Sequence, residues 1–369
     1  MTSHLFPNHR KLIWLVIAFL LIGQIILFSA TGVMALEKQG SEFYYSIRQG
    51  IWAIIGLVLM ITLSKFSYEK LRDYAFPIMA LQILLVAATR IPGIGHHASG
   101  ATRWIHIGPL LFQPSELAKI SLAIYAAHLL AIYKENRIHW KRILVLCIPI
   151  VILLLLIFKQ PDLGTTTLLT CMLLGMLFIS GLRLIYLGSG LTLGAIAFVT
   201  AMLTSDYRRR RFFSFLNPWA DPQGSGFQAI QSFLSFRSGG LFGTGLGNGN
   251  SKLFYLPEVH TDFIFSLIGE ELGFVGAIVV LLLFAYFSYL VFKVAYHAKD
   301  PFGNLLAFGL GLSLCLQIAV NLGGVTGLLP VKGLPLPFIS WGRSALLVNL
   351  MMMGILLNIA RTTIVKSEE

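Results

Sequence analysis

Residues 258–262 form a short polar run that ends directly before a long apolar segment, residues 264–294. The length and composition of that segment predict a membrane helix. An ionised side chain at the bilayer centre costs about 2.5–3.5 kcal/mol on insertion scales. A charged residue at the edge of such a helix is therefore a candidate functional residue. Asp262 is therefore a candidate general base or cation ligand, with Glu258 and His260 beside it. The alternative is a structural carboxylate that accepts hydrogen bonds from free N–H groups at a helix N-terminus.

Two more carboxylates, Glu270 and Glu271, follow within the same apolar segment. On one continuous helix, Glu270 would lie about 80° round from Asp262 and two turns deeper. Glu270 could then share a cavity with Asp262, whereas Glu271 would contact another helix. A paired structural carboxylate is the alternative at both positions.

A second polar motif, residues 113–119, opens another apolar segment. Pro114 suits the first turn of a helix, and Glu116 and Lys119 are spaced to share one helical face. An ion pair that enters the bilayer is costly unless it is paired or solvated. The motif therefore predicts either a structural pair between helices or the wall of a polar cavity in which Lys119 faces a substrate phosphate.

Four consecutive arginines, residues 208–211, form a dense positive cluster that includes Arg210. The cluster is either an ordinary juxtamembrane charge group or a grip for lipid headgroups or a pyrophosphate, since a guanidinium bonds phosphate through two N–H groups. The net charge of +12 leaves the same two choices. Nucleic acid is not expected as a partner, because no basic and aromatic stripe lies on a soluble surface.

Two further patterns do not support a cofactor or metal site. The glycines of residues 239–249 mimic a dinucleotide-binding fingerprint, but no strand precedes them and no ribose-binding acid is placed. They predict a flexible outer loop. His96, His97 and His106 lack helical i, i+4 spacing and nearby carboxylates, so they are interpreted as loop histidines.

The composition is that of a polytopic membrane protein. Hydrophobic residues make up 56% of the 369 residues and charged residues 12%, against about 25% charged in soluble proteins. The predicted fold is all-α, with both termini on one side, taken as the cytoplasmic side from the density of positive charge. The ten predicted spans are residues 12–35, 48–64, 74–88, 114–133, 143–158, 164–181, 184–204, 263–294, 304–321 and 343–360.

Three predicted outer segments are residues 89–113, 205–262 and 322–342. Frequent Gly and Pro predict irregular backbone there, and such backbone persists at membrane depth only when it is packed in protein or lines a wet cavity. The chain is expected to form one membrane domain, residues 1–369, with residues 205–262 as a large extracytoplasmic loop. No internal repeat is visible, which argues weakly against a transporter.

Several long motifs, in order along nearly the whole chain, resemble the SEDS family (shape, elongation, division and sporulation), which includes RodA, FtsW and SpoVE. These motifs are Ala101-Thr102-Arg103-Trp104-Ile105, Gln113-Pro114-Ser115-Glu116-Leu117-Ala118-Lys119, Asn217-Pro218, Asp221-Pro222, Gly226-Phe227-Gln228, Gln231-Ser232, Ser238-Gly239-Gly240, Leu256-Pro257-Glu258-Val259-His260-Thr261-Asp262-Phe263, Gly269-Glu270-Glu271-Leu272-Gly273, Gly327-Leu328-Leu329-Pro330, Lys332-Gly333 and Leu336-Pro337-Phe338-Ile339-Ser340.

The resemblance implies ten transmembrane helices in the bacterial cytoplasmic membrane and a peptidoglycan glycosyltransferase that polymerises lipid II at the outer face. It matches the family's essential aspartate to Asp262, and its cavity glutamate and lysine to Glu116 and Lys119. It also implies a class B penicillin-binding protein, a transpeptidase, as partner, together with other proteins of the division or elongation complex.

Residues 218–222 and 252–257 resemble FtsW more than RodA, which favours septal synthesis in cell division. The alternatives are a RodA-type elongation polymerase, a lipid II flippase or other transporter, and a non-catalytic scaffold for division proteins. One departure stands out. Arg343 occupies a position where the family usually has glycine, which leaves the role of that loop open.

The expected reaction is an inverting transfer from a glycan on undecaprenyl pyrophosphate to an incoming lipid II, with Asp262 accepting the proton of the attacking hydroxyl. The leaving pyrophosphate needs positive charge. Lys119, Arg103, Lys332 and the arginine run with Arg210 are the candidate cations, and a divalent ion, Mg²⁺ or Mn²⁺, is a further possibility. Glu258, His260 and Ser340 are further candidate substrate contacts.

Overall fold

The computed structural model describes residues 9–98, 101–107, 110–135, 145–181, 213–249 and 259–362, with isolated positions between 188 and 209. Most of these residues are helical. The helices are α1 (His9–Gln39), α2 (Tyr44–Lys65), α3 (Glu69–Asp73), α4 (Ala75–Ala88), α5 (Pro114–Lys134), α6 (Ile148–Lys159), α7 (Leu163–Ile179), α8 (Phe227–Gly239), α9 (Ile264–Glu271), α10 (Gly273–Tyr296), α11 (Pro301–Val325) and α12 (Arg343–Thr362).

The helices confirm the prediction of a multi-pass, all-α membrane protein. Within the described residues, six helices are long and apolar enough to cross a membrane: α1, α2, α5, α10, α11 and α12. The shorter apolar helices α4, α6 and α7 coincide with three more predicted spans. The predicted span 184–204 falls almost entirely outside the described residues.

Helix α5 lies at the centre of the bundle. Of its most apolar stretch, 83% is buried, against 22% for α2. The same helix has the lowest mean hydropathy of the six, 1.3. A helix whose neighbours are other helices rather than lipid can carry polar side chains, and α5 carries Glu116 and Lys119.

Hydrogen bonds between distant segments identify the two ends of the bundle. At one end, Asn358 of α12 donates to Ser64 O at the end of α2. At the other end, Gln49 near the start of α2 donates to Ser340 O, just before α12 begins. A short turn joins α1 to α2, and the two helices run in opposite directions. The first residues of α1 therefore lie at the same end of the bundle as the last residues of α12. The predicted placement of both termini on one side agrees with this arrangement.

The prediction of one continuous helix over residues 264–294 is wrong. The chain forms the short helix α9, breaks at Leu272, and restarts as α10. Gly273 adopts φ +69° at the break, a left-handed conformation that favours glycine. Asp262 precedes the first helical residue of α9. The angle of about 80° between Asp262 and Glu270 assumes one continuous helix and therefore does not apply.

The backbone of the glycine-rich residues 239–249 bonds to both sides of the break, although most of these residues are exposed. The N–H groups of Phe274 and Val275 donate to Gly240 O and Leu241 O at 2.9 and 3.1 Å. A Cβ on Gly273 would lie 2.3 Å from Gly243 N. Backbone from the loop therefore occupies the space and the hydrogen bonds that a continuous helix would use.

Residues 89–113, predicted to be irregular, contain a small antiparallel sheet in the order β1 (Gly95–Ala98), β2 (Ala101–Ile107) and β3 (Leu110–Phe112). His96 pairs with Trp104 in the register of β1 and β2. The rings of His96 and His106 are hydrogen-bonded, with 3.2 Å between Nδ1 and Nε2. The frequent Gly and Pro correctly indicated that this segment is not helical, but they gave no sign of strands as short as these.

The loop before α12 is anchored in the core by aromatic packing. Phe338 stacks on Phe19 of α1 at 6.2 Å between ring centroids, and Phe19 stacks on Phe284 of α10 at 4.2 Å. All three side chains are buried. The later part of the irregular segment, residues 334–340, is thus held inside the bundle, as expected for irregular backbone at membrane depth.

Candidate functional site

Asp262 lines a small open cleft between the turn before α9 and the loop after α11. The described lining of the cleft comprises Asp262, Val320, Asn321, Gly324, Val325, Val331, Lys332, Gly333 and Leu334. Asp262 and Lys332 are both partly exposed. The cleft is therefore lined by an acidic and a basic residue that lie 70 residues apart in sequence, and both are candidate site residues from the sequence.

The Asp262 carboxylate lies directly over Gly333. A Cβ built on Gly333 would be 3.4 Å from Asp262 Oδ2, and Gly333 has φ +63°. Glycine accepts this conformation without the steric cost that other residues meet. Behind it, a Cβ on Gly164 of α7 would lie 2.7 Å from Lys332 O. Because neither glycine has a side chain, the backbone of the loop fits between α7 and the Asp262 carboxylate.

Asn321 of α11 joins the two sides of the cleft. Its Nδ2 donates to Asp262 O at 2.9 Å and to Leu334 O at 2.8 Å. The side chain is 4% exposed. One amide therefore connects the turn that carries Asp262 to the loop that carries Lys332.

Glu116 and Lys119 lie beneath the cleft, not on its described wall. Lys119 Nζ is 2.7 Å from Glu116 Oε2, and it also donates to Gln317 Oε1 at 2.7 Å. Gln317 Nε2 in turn donates to Pro335 O at 2.7 Å. Lys119 and Glu116 are 0% and 4% exposed. The ion pair is thus buried within α5 and linked through α11 to the loop that carries Lys332.

Arg103 lies on β2, where it binds backbone oxygens. Its Nε donates to Gln160 O at 2.9 Å and its Nη2 to Pro161 O at 2.8 Å. These bonds tie the sheet to the turn between α6 and α7. The structure therefore gives Arg103 an anchoring role, and phosphate binding by this residue stays a prediction.

His260 lies in the turn before α9, and Ser340 lies in the loop before α12. Trp341 N donates to His260 O at 2.9 Å, and the ring of His260 lies 5.7 Å from that of Tyr45. Ser340 is buried, and its hydroxyl accepts from Leu336 N at 2.8 Å. Both residues stabilise the backbone that frames Asp262. Glu258 and Arg210 lie outside the described residues.

Glu270 and Glu271 are both buried, and neither is among the described residues that line the cleft. Glu271 Oε1 accepts from Ser29 Oγ of α1 at 2.6 Å, as expected for a side chain that contacts another helix. Glu270 Oε1 lies 3.4 Å from Ser238 Oγ of α8. The hypothesis that Glu270 shares a cavity with Asp262 does not fit this arrangement, because Glu270 lies beside Ser238 of α8 and is absent from the described lining of the cleft.

Sequence reasoning missed Gln317 and Asn321, which carry the contacts around the cleft. A usable signal was present. Two amides at i, i+4 in an otherwise apolar helix lie on one face, and polar side chains in a membrane span usually bond to a neighbouring segment.

The described residues contain no group of three or more His, Cys, Asp and Glu side chains placed to hold a metal ion. Asp262 supplies a single carboxylate to the cleft. A divalent ion at the pyrophosphate stays a prediction, and no step below passes through it.

The chain is similar to known proteins over almost its whole length. The family model described as "Cell cycle protein", which groups FtsW, RodA and SpoVE, matches residues 10–364. A probable peptidoglycan glycosyltransferase FtsW from Geobacter metallireducens is 44% identical over 345 residues, which cover 93% of this chain and 92% of that protein. Stage V sporulation protein E from Bacillus subtilis is 39% identical over 354 residues, covering 95% and 96%.

Solved structures agree in fold as well. A chain from a peptidoglycan synthase complex, described for its coordination of polymerization and crosslinking, is 32% identical, with a TM-score of 0.77 and coverage of 95% of this chain and 97% of that one. The rod shape determining protein RodA of Thermus thermophilus is 28% identical, with a TM-score of 0.68 and coverage of 95% and 96%.

Proposed function

This chain belongs to the FtsW, RodA and SpoVE family of cell cycle proteins, and from that premise we propose how it works as a peptidoglycan glycosyltransferase with Asp262 as its general base. The enzyme class and the role in cell division follow from relatives of 44% and 43% identity that carry the name FtsW. The observation that carries the mechanism is the cleft in which Asp262 and Lys332 lie together.

The reaction joins two lipid-linked saccharides. The C4 hydroxyl of the acceptor lipid II attacks the anomeric carbon of the donor glycan, and a new C–O bond forms. The bond from that carbon to undecaprenyl pyrophosphate breaks with inversion. Asp262 takes the hydroxyl proton, and the pyrophosphate leaves with the electron pair. A base placed in this way contributes typically about 10²–10⁴-fold to the rate.

Lys332 is the cation best placed to stabilise the leaving pyrophosphate. It lines the same cleft as Asp262 and is partly exposed. Lys119 is fully buried and already bonded to Glu116 and Gln317. Arg103 is bonded to two backbone carbonyls. A donor that stabilises charge on the leaving group must reach that group, which favours Lys332, the candidate that lines the cleft.

The cleft lies at the end of the bundle away from both described termini, so we place that end outside the cytoplasmic membrane and the termini in the cytoplasm. We propose a class B penicillin-binding protein as the partner that cross-links the product. The related chain solved within a peptidoglycan synthase complex supports a partner of this kind.

The test is polymerisation of lipid II by the purified protein with its partner. We expect Asp262→Asn to lower the rate by about 10²-fold or more, because the amide cannot take the proton. Asp73→Asn is the matched control, since Asp73 is an exposed carboxylate at the end of α3, at the opposite end of the bundle.

Near-normal polymer from a folded Asp262→Asn protein would rule out the base role. Movement of lipid II across vesicles without any polymer from the unmodified protein would instead favour a transporter.

A further inference from the structure

The amide of Asn321 has a fixed orientation between two chain segments. Both atoms that Nδ2 approaches are carbonyl oxygens, those of Asp262 and Leu334. A flipped side chain would set Oδ1 against two acceptors, so only the observed orientation makes hydrogen bonds. Both protons of one NH₂ group are therefore used to hold the two sides of the cleft together.

The loop side of this connection is held a second time by the same helix. Gln317 lies one turn before Asn321 on the same face of α11 and donates to Pro335 O at 2.7 Å. Two consecutive carbonyls, those of Leu334 and Pro335, are thus bonded to two amides of one rigid helix. These bonds fix the loop that carries Lys332 relative to α11. Asn321 also donates to Asp262 O, so the turn that carries Asp262 is fixed relative to the same helix.

The buried position of Asn321 carries a cost in folding free energy. The side chain is 4% exposed, and among the described residues no donor reaches Oδ1. A buried acceptor without a donor is destabilising. Packing alone would be served by an apolar side chain, so the amide at this position is best explained by the two segments that it joins.

We propose that Asn321 is a positioning residue for catalysis, holding the Asp262 carboxylate over Gly333 and at a set distance from Lys332. A general base must lie within hydrogen-bond reach of the proton that it removes. A displacement of about 1 Å in such a group can reduce the rate by about 10²-fold. This inference rests on the proposed base role of Asp262, because it assigns what keeps that base in place.

The experiment compares Asn321→Leu with Asn358→Leu in lipid II polymerisation by the full protein and its partner. Asn358 is a matched control, because it is also a buried asparagine with two backbone partners, Tyr68 N and Ser64 O, but at the opposite end of the bundle. We expect Asn321→Leu to lower kcat by about 10–100-fold with little change in KM. Asn358→Leu should lower thermal stability while kcat stays within about twofold of the unmodified value.

Two more measurements keep the test decisive if the leucine variant folds poorly. Asn321→Gln keeps the two amide protons on a longer side chain and should recover part of kcat, whereas Asn321→Asp has at most one donor, the O–H of a protonated carboxyl, and should recover less. The acid limb of the pH profile of kcat should shift in Asn321→Gln, since the longer side chain displaces the base without adding a charge, and should not shift in Asn358→Leu.

Equal kcat in Asn321→Asp and the unmodified protein would overturn the inference, as would losses of kcat that match the loss of folded protein in both asparagine variants. If Asp262→Asn is inactive while Asn321→Asp is fully active, only the positioning role fails. If Asp262→Asn is active, the proposed base role itself fails.

Discussion

Lys119 shows how strongly a single buried charge depends on its partners. The ammonium group has no exposed surface and bonds to Glu116 and Gln317. Attraction between the charges offsets the loss of hydration only while both partners are present. The pair therefore matters most when one member is removed.

We expect Lys119→Met to destabilise the protein by about 3–5 kcal/mol, because it leaves the Glu116 carboxylate buried without its cation. Adding Glu116→Gln should recover much of this loss, since the buried charge is then gone. Thermal unfolding in detergent measures both effects. Lys70→Met on the exposed helix α3 is the control and should change stability by less than about 0.5 kcal/mol. Equal destabilisation by the single and double variants would contradict the ion-pair explanation.

At this scale, local spacing in the sequence predicted some contacts around the candidate site but not how its segments come together. The i, i+3 spacing is enough to predict that Glu116 and Lys119 meet, because both lie on one helix. No local rule relates Asp262 to Lys332 or Asn321, since their contact depends on how the irregular loop 326–342 returns into the bundle. The helix around Asn321 was predictable, but the two carbonyls that it binds were not.

Among the elements, the start and the end of α9 set the surroundings of the acidic residues. Helix α9 begins only at Ile264, so Asp262 lies outside it, and Glu270 lies beside Ser238 of α8. Apolar residues on both sides of Gly273 make the sequence look like one span. At the break, the backbone of a distant segment, residues 239–249, bonds to Phe274 and Val275, and a periodic pattern carries no information about such a contact.

We expect Gly273→Ala to destabilise the protein by about 1–3 kcal/mol, because φ +69° disfavours any Cβ and Gly243 N lies 2.3 Å from where the Cβ would be. Gly32→Ala in α1 is the opposite control. A Cβ there meets nothing within 4 Å, and alanine favours helix by about 0.5–1 kcal/mol. Thermal unfolding should therefore move down for one variant and up, or stay unchanged, for the other. A stabilised Gly273→Ala protein would show that the break is not needed.

The predicted spans and the observed helices agree because membrane spans depend on a local property, a run of apolar residues as long as the bilayer is thick. The sheet β1–β3 escaped prediction for the opposite reason. Its strands are 4, 7 and 3 residues long, and their stability comes from pairing with each other and from the contacts of Arg103 with the turn after α6.

Across the whole molecule, polar networks are concentrated at the two ends of the bundle. The end with the cleft joins the turn before α9, the loop before α12 and α11 through Asn321 and Trp341. The opposite end joins three elements through Tyr68, whose hydroxyl donates to Asp300 and whose N–H donates to Asn358. Asp300 also caps α11, accepting from Phe302 N and Gly303 N at 3.1 Å. Loosening this end tests whether the ends are independent.

Tyr68 lies between α2 and α3, and burial together with the Asp300 carboxylate raises the pKa of its hydroxyl above the usual value of 10.0. A raised pKa in the folded state means that the contribution of Tyr68 to stability is fully present below about pH 10 and is lost as the pH rises towards the folded pKa. We expect Tyr68→Phe to cost about 1–3 kcal/mol at neutral pH, because Asp300 loses a donor.

The difference in stability between Tyr68→Phe and the unmodified protein should then shrink above pH 10. Tyr296→Phe, at an 81% exposed tyrosine that is the last residue of α10, should cost little at any pH. Unfolding temperatures between pH 7 and 11 give both comparisons. If the two ends are independent, the kcat of Tyr68→Phe at neutral pH will stay within about twofold of the unmodified value while its stability falls. A loss of kcat as large as that of Asn321→Leu would instead mean that the bundle transmits changes from one face of the membrane to the cleft on the other.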